Sequence, residues 1–168
     1  VWNSLTPPTG TVTLTKFGQE GLVANNPNLE SKPLAGVKFQ AKDSKGNFYF
    51  ATSDENGVVK FTDLPILEKY TITEIEAPAG YKVSDKSIEV GYEDFKAVYN
   101  KADNSFDVKI TDKDSKDKFL NVKPVYGSLK LNKINEDKVA LSYIRFNLRG
   151  MSEWNKDYNR NFLTDTSG

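Results

Sequence analysis

Short stretches of alternating apolar and polar residues, each closed by a turn signal, constrain this chain most. Thr11-Val-Thr-Leu-Thr-Lys16 alternates cleanly, followed by Val37–Ala41 and Phe48–Thr52. The stretch Ser44-Lys-Gly-Asn47 between the latter two is hairpin chemistry, and so is Asp54-Glu-Asn-Gly57, where glycine supplies positive φ. Val58–Phe61, Tyr70–Ile75, Ser87–Val90, Ala97–Tyr99, Phe106–Ile110 and Lys118–Val122 read as further strands. A period of 2 in short runs indicates β structure, and no segment has a 3.6 period of helical length. Many short strands with regular turns predict an all-β, Ig-like sandwich.

Composition narrows the function. Lys plus Arg is 23 and Asp plus Glu is 23, so the net charge is zero. No basic stripe marks a nucleic-acid binder. The finely mixed charges of Lys109–Lys118 read as a solvated surface. With no Cys and no His, disulfides, zinc sites, thiol nucleophiles and His-based triads are excluded. No cofactor or metal is called for. A hydrolase would need a carboxylate pair, and none stands out. No apolar run approaches the roughly 20 residues that span a bilayer, so no membrane contact is expected of this stretch. Any signal or anchor of the parent protein is expected outside it.

The chain repeats itself. Gly10–Lys16 is similar to Gly127–Lys133, Leu34–Phe39 to Leu141–Phe146, and Ser53–Gly57 to Thr164–Gly168, in the same order. The earlier copy carries an insertion around Leu22–Glu30. Asn3 precedes Gly10 across a Pro pair, and Asn121 precedes Gly127 across Pro124. The expected organisation is therefore the end of one repeat and a linker over 1–9, a complete domain over 10–123, and the N-terminal part of a second over 124–168.

Period 2 also places Lys16 on the face of Val12 and Leu14, and Lys133 on that of Leu129 and Leu131. An inward lysine is costly unless paired or neutral, although one at a strand end can snorkel to water. Glu74 shares its face with Tyr70 and Ile72, whereas Glu76 reads as a surface acid. Asn121 shares a face with Phe119 or, alternatively, starts a turn.

A first strand ending in Lys, then Pro-Leu-Ala-Gly-Val-Lys-Phe, Ser-Asp-Glu-Asn-Gly and Tyr-Thr-Ile-Thr-Glu-Ile-Glu-Ala-Pro-Ala-Gly-Tyr, and a last strand ending in Asn resemble the Cna B-type domain. This prealbumin-like sandwich occurs in pilins and adhesins of Gram-positive bacteria. The resemblance implies an autocatalytic Lys16–Asn121 isopeptide bond with Glu74 as proton shuttle and Asn100 as the rival to Asn121. Lys133 and Asn3 are the corresponding candidates of neighbouring repeats. It further implies an extracellular stalk or pilus module, not a turnover enzyme, whose partners are neighbouring repeats of the same polypeptide. In an alternative role, the 22–30 and 92–117 surfaces bind host matrix or cell-surface proteins. No motif that presents a lysine to sortase is found.

Overall fold

The computed structural model describes residues 6–21, 30–124, 127–150 and 158–168. They belong to two compact units, divided between Lys123 and Pro124. Asn3 and most of the 22–30 insertion lie outside the described residues.

In the first unit, β1 (Thr9–Thr15) runs almost directly into β2 (Phe17–Gly21). The short β3 (Lys32–Pro33) is followed by β4 (Lys38–Asp43), β5 (Phe48–Thr52), β6 (Val58–Pro65), β7 (Tyr70–Glu76) and β8 (Ser87–Val90). Helix α1 (Tyr92–Ala97), β9 (Tyr99–Asn100), β10 (Ser105–Lys109), helix α2 (Asp112–Phe119) and β11 (Asn121–Pro124), which reaches the unit boundary, complete it. One sheet has the order β6-β1-β10-β9, with β1 parallel to β10; another has β5-β4-β7-β8; a third, small one has β11-β2-β3. The main class is all-β, as the alternation predicts.

Alternation puts one face of each large sheet into a shared core. Val12 and Leu14 from β1, Val59 and Phe61 from β6, Phe39 and Ala41 from β4, and Tyr70 and Ile72 from β7 are all buried there. The Asp43 carboxylate closes the β4–β5 hairpin by accepting from the Lys45 and Asn47 amides at 2.9 and 2.8 Å. These bonds hold its pKa below the usual carboxylate value, although burial pulls it upward.

Two predicted strands are corrected. Ala97–Tyr99 is split, because α1 extends to Ala97 and pairing begins at Tyr99. Lys118–Val122 begins as the end of α2, and β11 starts only at Asn121. The reading of Lys109–Lys118 as solvated surface is also incomplete. Thr111 caps α2 by accepting from the Asp114 amide at 3.1 Å. Lys113 pairs with Asp117 one turn on, at 2.8 Å. Only Ser115 and Phe119 are buried from this helix. Its inward face is thus one small polar residue and one ring, four apart, which is too sparse to register as a helical apolar stripe.

The second unit contains the antiparallel pair β12 (Arg145–Gly150) and β13 (Tyr158–Leu163) and a bridge between Ile134 and Ala140. Residues 127–133 form no strand, although their sequence parallels β1. β1 has β6 and β10 on its flanks, and a segment without such neighbours has no ladder to join.

Several hydrogen bonds nevertheless recur in both units. Lys16 N–H donates to Gly57 O at 2.6 Å, and Lys133 N–H to Gly168 O at 2.6 Å. Leu34 N–H donates to Lys16 O, and Leu141 N–H to Lys133 O, both at 2.9 Å. Val37 N–H donates to Ser53 Oγ, and Ile144 N–H to Thr164 Oγ1, again at 2.9 Å.

Gly57 and Gly168 hold these turns at φ of +73° and +82°. A Cβ on Gly57 would drive into the Lys16 carbonyl oxygen. Left-handed strain costs on the order of 1–3 kcal/mol. Gly57→Ala is therefore expected to lower the melting temperature of the first unit, whereas Gly46→Ala, with open space around its Cβ, should cost only its φ strain. Differential scanning calorimetry of the two variants checks the ranking.

Candidate functional site: a buried lysine, glutamate and asparagine

Lys16 sits at the break between β1 and β2. Its amide is held by Gly57 and its carbonyl by Leu34, so the backbone is pinned from both sides. The side chain follows Val12 and Leu14 into the core and is 0% exposed. It does not snorkel to water. Its Nζ donates to the Phe17 carbonyl at 2.9 Å and also to the Phe119 carbonyl.

Glu74 lies on β7 opposite Phe39 of β4, on the inward face with Tyr70 and Ile72. Its Oε2 is 3.6 Å from Lys16 Nζ, and both side chains are shut off from solvent. Asn121 is the first residue of β11, directly after the Leu120 that caps α2. It is 0% exposed, and its Nδ2 donates to Glu74 Oε1. Glu74 is therefore the shared partner of the amine and the amide.

Two acceptors at this cluster, Glu74 Oε2 and Asn121 Oδ1, are buried without a hydrogen-bond partner among the described residues. Buried orphan acceptors are uncommon and often mark chemistry. The recorded amide orientation puts the nitrogen of Asn121 on the carboxyl. A protonated Glu74 could equally well donate to Oδ1 after a half-turn of the amide.

Electrostatics push both ionisable groups toward neutrality. Burial lowers the Lys16 pKa from 10.5 to about 8, against the opposing attraction of Glu74. Burial raises the Glu74 pKa, against the pull of Lys16 and the Asn121 bond. A neutral amine is a nucleophile, a carboxylic acid is a proton donor, and a carboxamide is an acyl group with a nitrogen leaving group. The three together can carry out acyl transfer from the Asn121 amide to the Lys16 amine.

The other sequence-singled residues lie apart from this cluster. Glu76 is exposed and pairs with Lys38 at 2.6 Å. Asn100 is exposed on β9, its Oδ1 accepting from the Ala102 amide at 3.0 Å. Lys133 is exposed in the second unit.

Sequence reasoning missed the contribution of α2, whose end carries the Phe119 carbonyl and whose Ser115 hydroxyl donates to the Thr15 carbonyl. The signal was present in Thr111-Asp-Lys-Asp114, a helix-start pattern. Among the described residues, no group of Asp and Glu is arranged to hold a metal ion, and no helix is long and apolar enough to cross a membrane.

Comparisons with known proteins address the family. A family model for the SpaA prealbumin-like fold domain matches residues 23–105, just under half of the chain. The matched stretch contains Glu74 but neither Lys16 nor Asn121. No curated protein matches the chain. Among solved structures, BcpA, the major pilin subunit of Bacillus cereus, is similar at 23% identity and a TM-score of 0.41, over 70% of this chain and 31% of that one. The Bacillus anthracis TIE protein is similar at 22% identity and a TM-score of 0.45, over 95% and 25%. A variant of the shaft pilin SpaA from Lactobacillus rhamnosus GG is similar at 17% identity and a TM-score of 0.44, over 95% and 76%. The chain thus spans less than a third of BcpA and of TIE. Over residues 23–105 the chain is similar to the SpaA prealbumin-like fold domain.

Proposed function

We propose that this chain is a structural module of an extracellular Gram-positive stalk or pilus shaft, and that its first domain staples itself with an amide between Lys16 and Asn121. The observation that carries the reading is the buried trio: an amine at the end of the first strand, an amide at the start of the last, and one carboxyl touching both. The prealbumin-like family match supports the shaft role. Neighbouring repeats of the same polypeptide would be its mechanical partners. The recurrent turn hydrogen bonds support reading residues 124–168 as the N-terminal part of a second such domain, with Lys133 in the place of Lys16.

The reaction balances without a co-reactant. The neutral Lys16 Nζ attacks Asn121 Cγ, forming the N–C bond. The Cγ–Nδ2 bond breaks, and Nδ2 leaves as ammonia. One proton passes from Nζ to the departing nitrogen, with Glu74 as the relay. Fixing both reactants in one core supplies a proximity term of roughly 7–11 kcal/mol. Each domain turns over once, so the chemistry is autocatalytic maturation.

An intact mass one ammonia below the sequence mass is expected for wild type, and the full sequence mass for Glu74→Gln. A well-folded wild type at full sequence mass would contradict the reading.

Stability offers a second check. The cross-link closes a loop from position 16 to position 121. Closing a loop of about 100 residues removes denatured-state entropy worth ~4.7 kcal/mol in the chain-entropy model, a large part of the ~5–15 kcal/mol typical of domains. Glu74→Gln should therefore melt well below wild type and be cut faster by trypsin. Equal melting temperatures and protease lifetimes would remove the mechanical-staple role.

The Asn121→Ala variant cannot cross-link, so its buried amine remains titratable. Between pH 8 and 10.5 the unfolded state holds a Lys16 proton that the folded state has released. Stability of this variant should therefore rise with pH across that window. Glu74, whose pKa is raised from 4.5, contributes the opposite slope from that value upward. Urea denaturation of Asn121→Ala and of Asn121→Ala with Lys16→Met, compared over the window, isolates the lysine.

A further inference from the structure

We infer that α2 is the positioning device of this reaction, with Ser115 and Lys116 seating it on the strands that flank the reacting lysine. The inference rests on the cross-linking reading above and adds residues that reading does not use.

A neutral amine has two N–H bonds and one lone pair. Lys16 Nζ donates to two carbonyls, those of Phe17 and Phe119. Both N–H groups of the neutral form are thereby engaged, and the lone pair is left over. The charged form would need a third acceptor, and Glu74 Oε2 at 3.6 Å is beyond a good hydrogen bond. The two carbonyls therefore orient the nucleophile, while burial favours its neutral, reactive state.

The Phe119 carbonyl is available because a helix ends there. The last carbonyls of an α-helix lack intrahelical partners. Lys116 O accepts the final helical bond, from the Leu120 amide at 3.3 Å, whereas Asp117 O accepts from Lys86 Nζ at 2.9 Å and Lys118 O from Ser84 Oγ at 2.6 Å. Phe119 O takes the Lys16 amine. Two residues later the chain delivers Asn121, so any shift of α2 moves the amine's acceptor and the electrophile together.

Ser115 and Lys116 set where α2 sits. Ser115 is 1% exposed and donates its hydroxyl to the Thr15 carbonyl, one residue before Lys16. Lys116 Nζ stands 4.3 Å from the centre of the Phe17 ring, one residue after it. The Phe119 ring meets Phe39 edge-on at 5.1 Å. Neither the Ser115 hydroxyl nor the Lys116 amine bonds Lys16 Nζ, Glu74 or Asn121, so both residues position the reactants and stand outside the proton path.

The test is to unfold the full chain from an unreacted state, such as denatured protein captured soon after synthesis, and follow ammonia loss by mass during refolding at several pH values. Ser115→Ala and Lys116→Ala are expected to regain the wild-type circular dichroism spectrum yet react roughly tenfold or more slowly, since a misplacement of ~1 Å can cost about a hundredfold. The pH at half-maximal rate should stay at the wild-type value, because neither side chain bonds Lys16, Glu74 or Asn121. Lys116→Arg, which keeps a cation over Phe17, should restore the rate. If wild type reacts and both alanine variants react equally fast, the positioning role is wrong while the cross-link stands. If Ser115→Ala fails to fold, Lys116→Ala and Lys116→Arg decide alone. A wild type that folds without ever losing ammonia would overturn the cross-linking reading itself, and this inference with it.

Discussion

The burial of the Lys16 amine beside the Glu74 carboxyl is the constraint on which the rest of the first domain depends. Two ionisable groups removed from water cost more than their mutual attraction returns, unless geometry and hydrogen bonding are good. Here one oxygen of Glu74 and the oxygen of Asn121 have no hydrogen-bond partner among the described residues. The cluster is thus poorly satisfied as an ion pair. It is better suited as a set of neutral reactants, which is the direction in which burial pushes both pKa values. Converting the amine to an amide would remove the buried base altogether. On this view the unlinked core holds the frustration, and the bond relieves it.

Topology dictates when that can happen. Lys16 directly follows the first strand, and Asn121 opens the last one of the domain. The trio is complete only when β4 and β7 are also paired, with Glu74 set opposite Phe39. Such long-range pairing is the slow part of β-sandwich folding. A bond of this kind cannot guide the chain to its fold and can only lock it afterwards. Backbone anchors at Gly57 and Leu34, together with α2, then bear the task of holding the amine still.

The sandwich was legible because its strands alternate in the plainest way. Val12 and Leu14, or Tyr70 and Ile72, announce a buried face without any tertiary information. The same alternation carried Lys16 and Glu74 inward. The helices were not legible. In α2 the buried positions are Ser115 and Phe119, too sparse to read as an apolar stripe among the charged residues around them, and its N-terminal cap was the only readable mark. The strand start at Asn121 was blurred for the same reason, since Lys118 and Phe119 look like strand residues but end a helix. Residues 127–133 show the converse: a sequence written like β1 does not pair where, among the described residues, β6 and β10 have no counterpart. Backbone hydrogen bonds of that unit, such as Lys133 N–H to Gly168 O, nevertheless match those of the first unit.

The most direct measurement is a peptide map of the natively folded protein by tandem mass spectrometry. The cross-linked domain should yield one branched species in which the peptide containing Lys16 is joined through its side chain to the peptide containing Asn121, with the two linear peptides depleted to match. Recovery of both linear peptides in full, or a branch from Lys16 to a residue other than Asn121, would contradict the central claim.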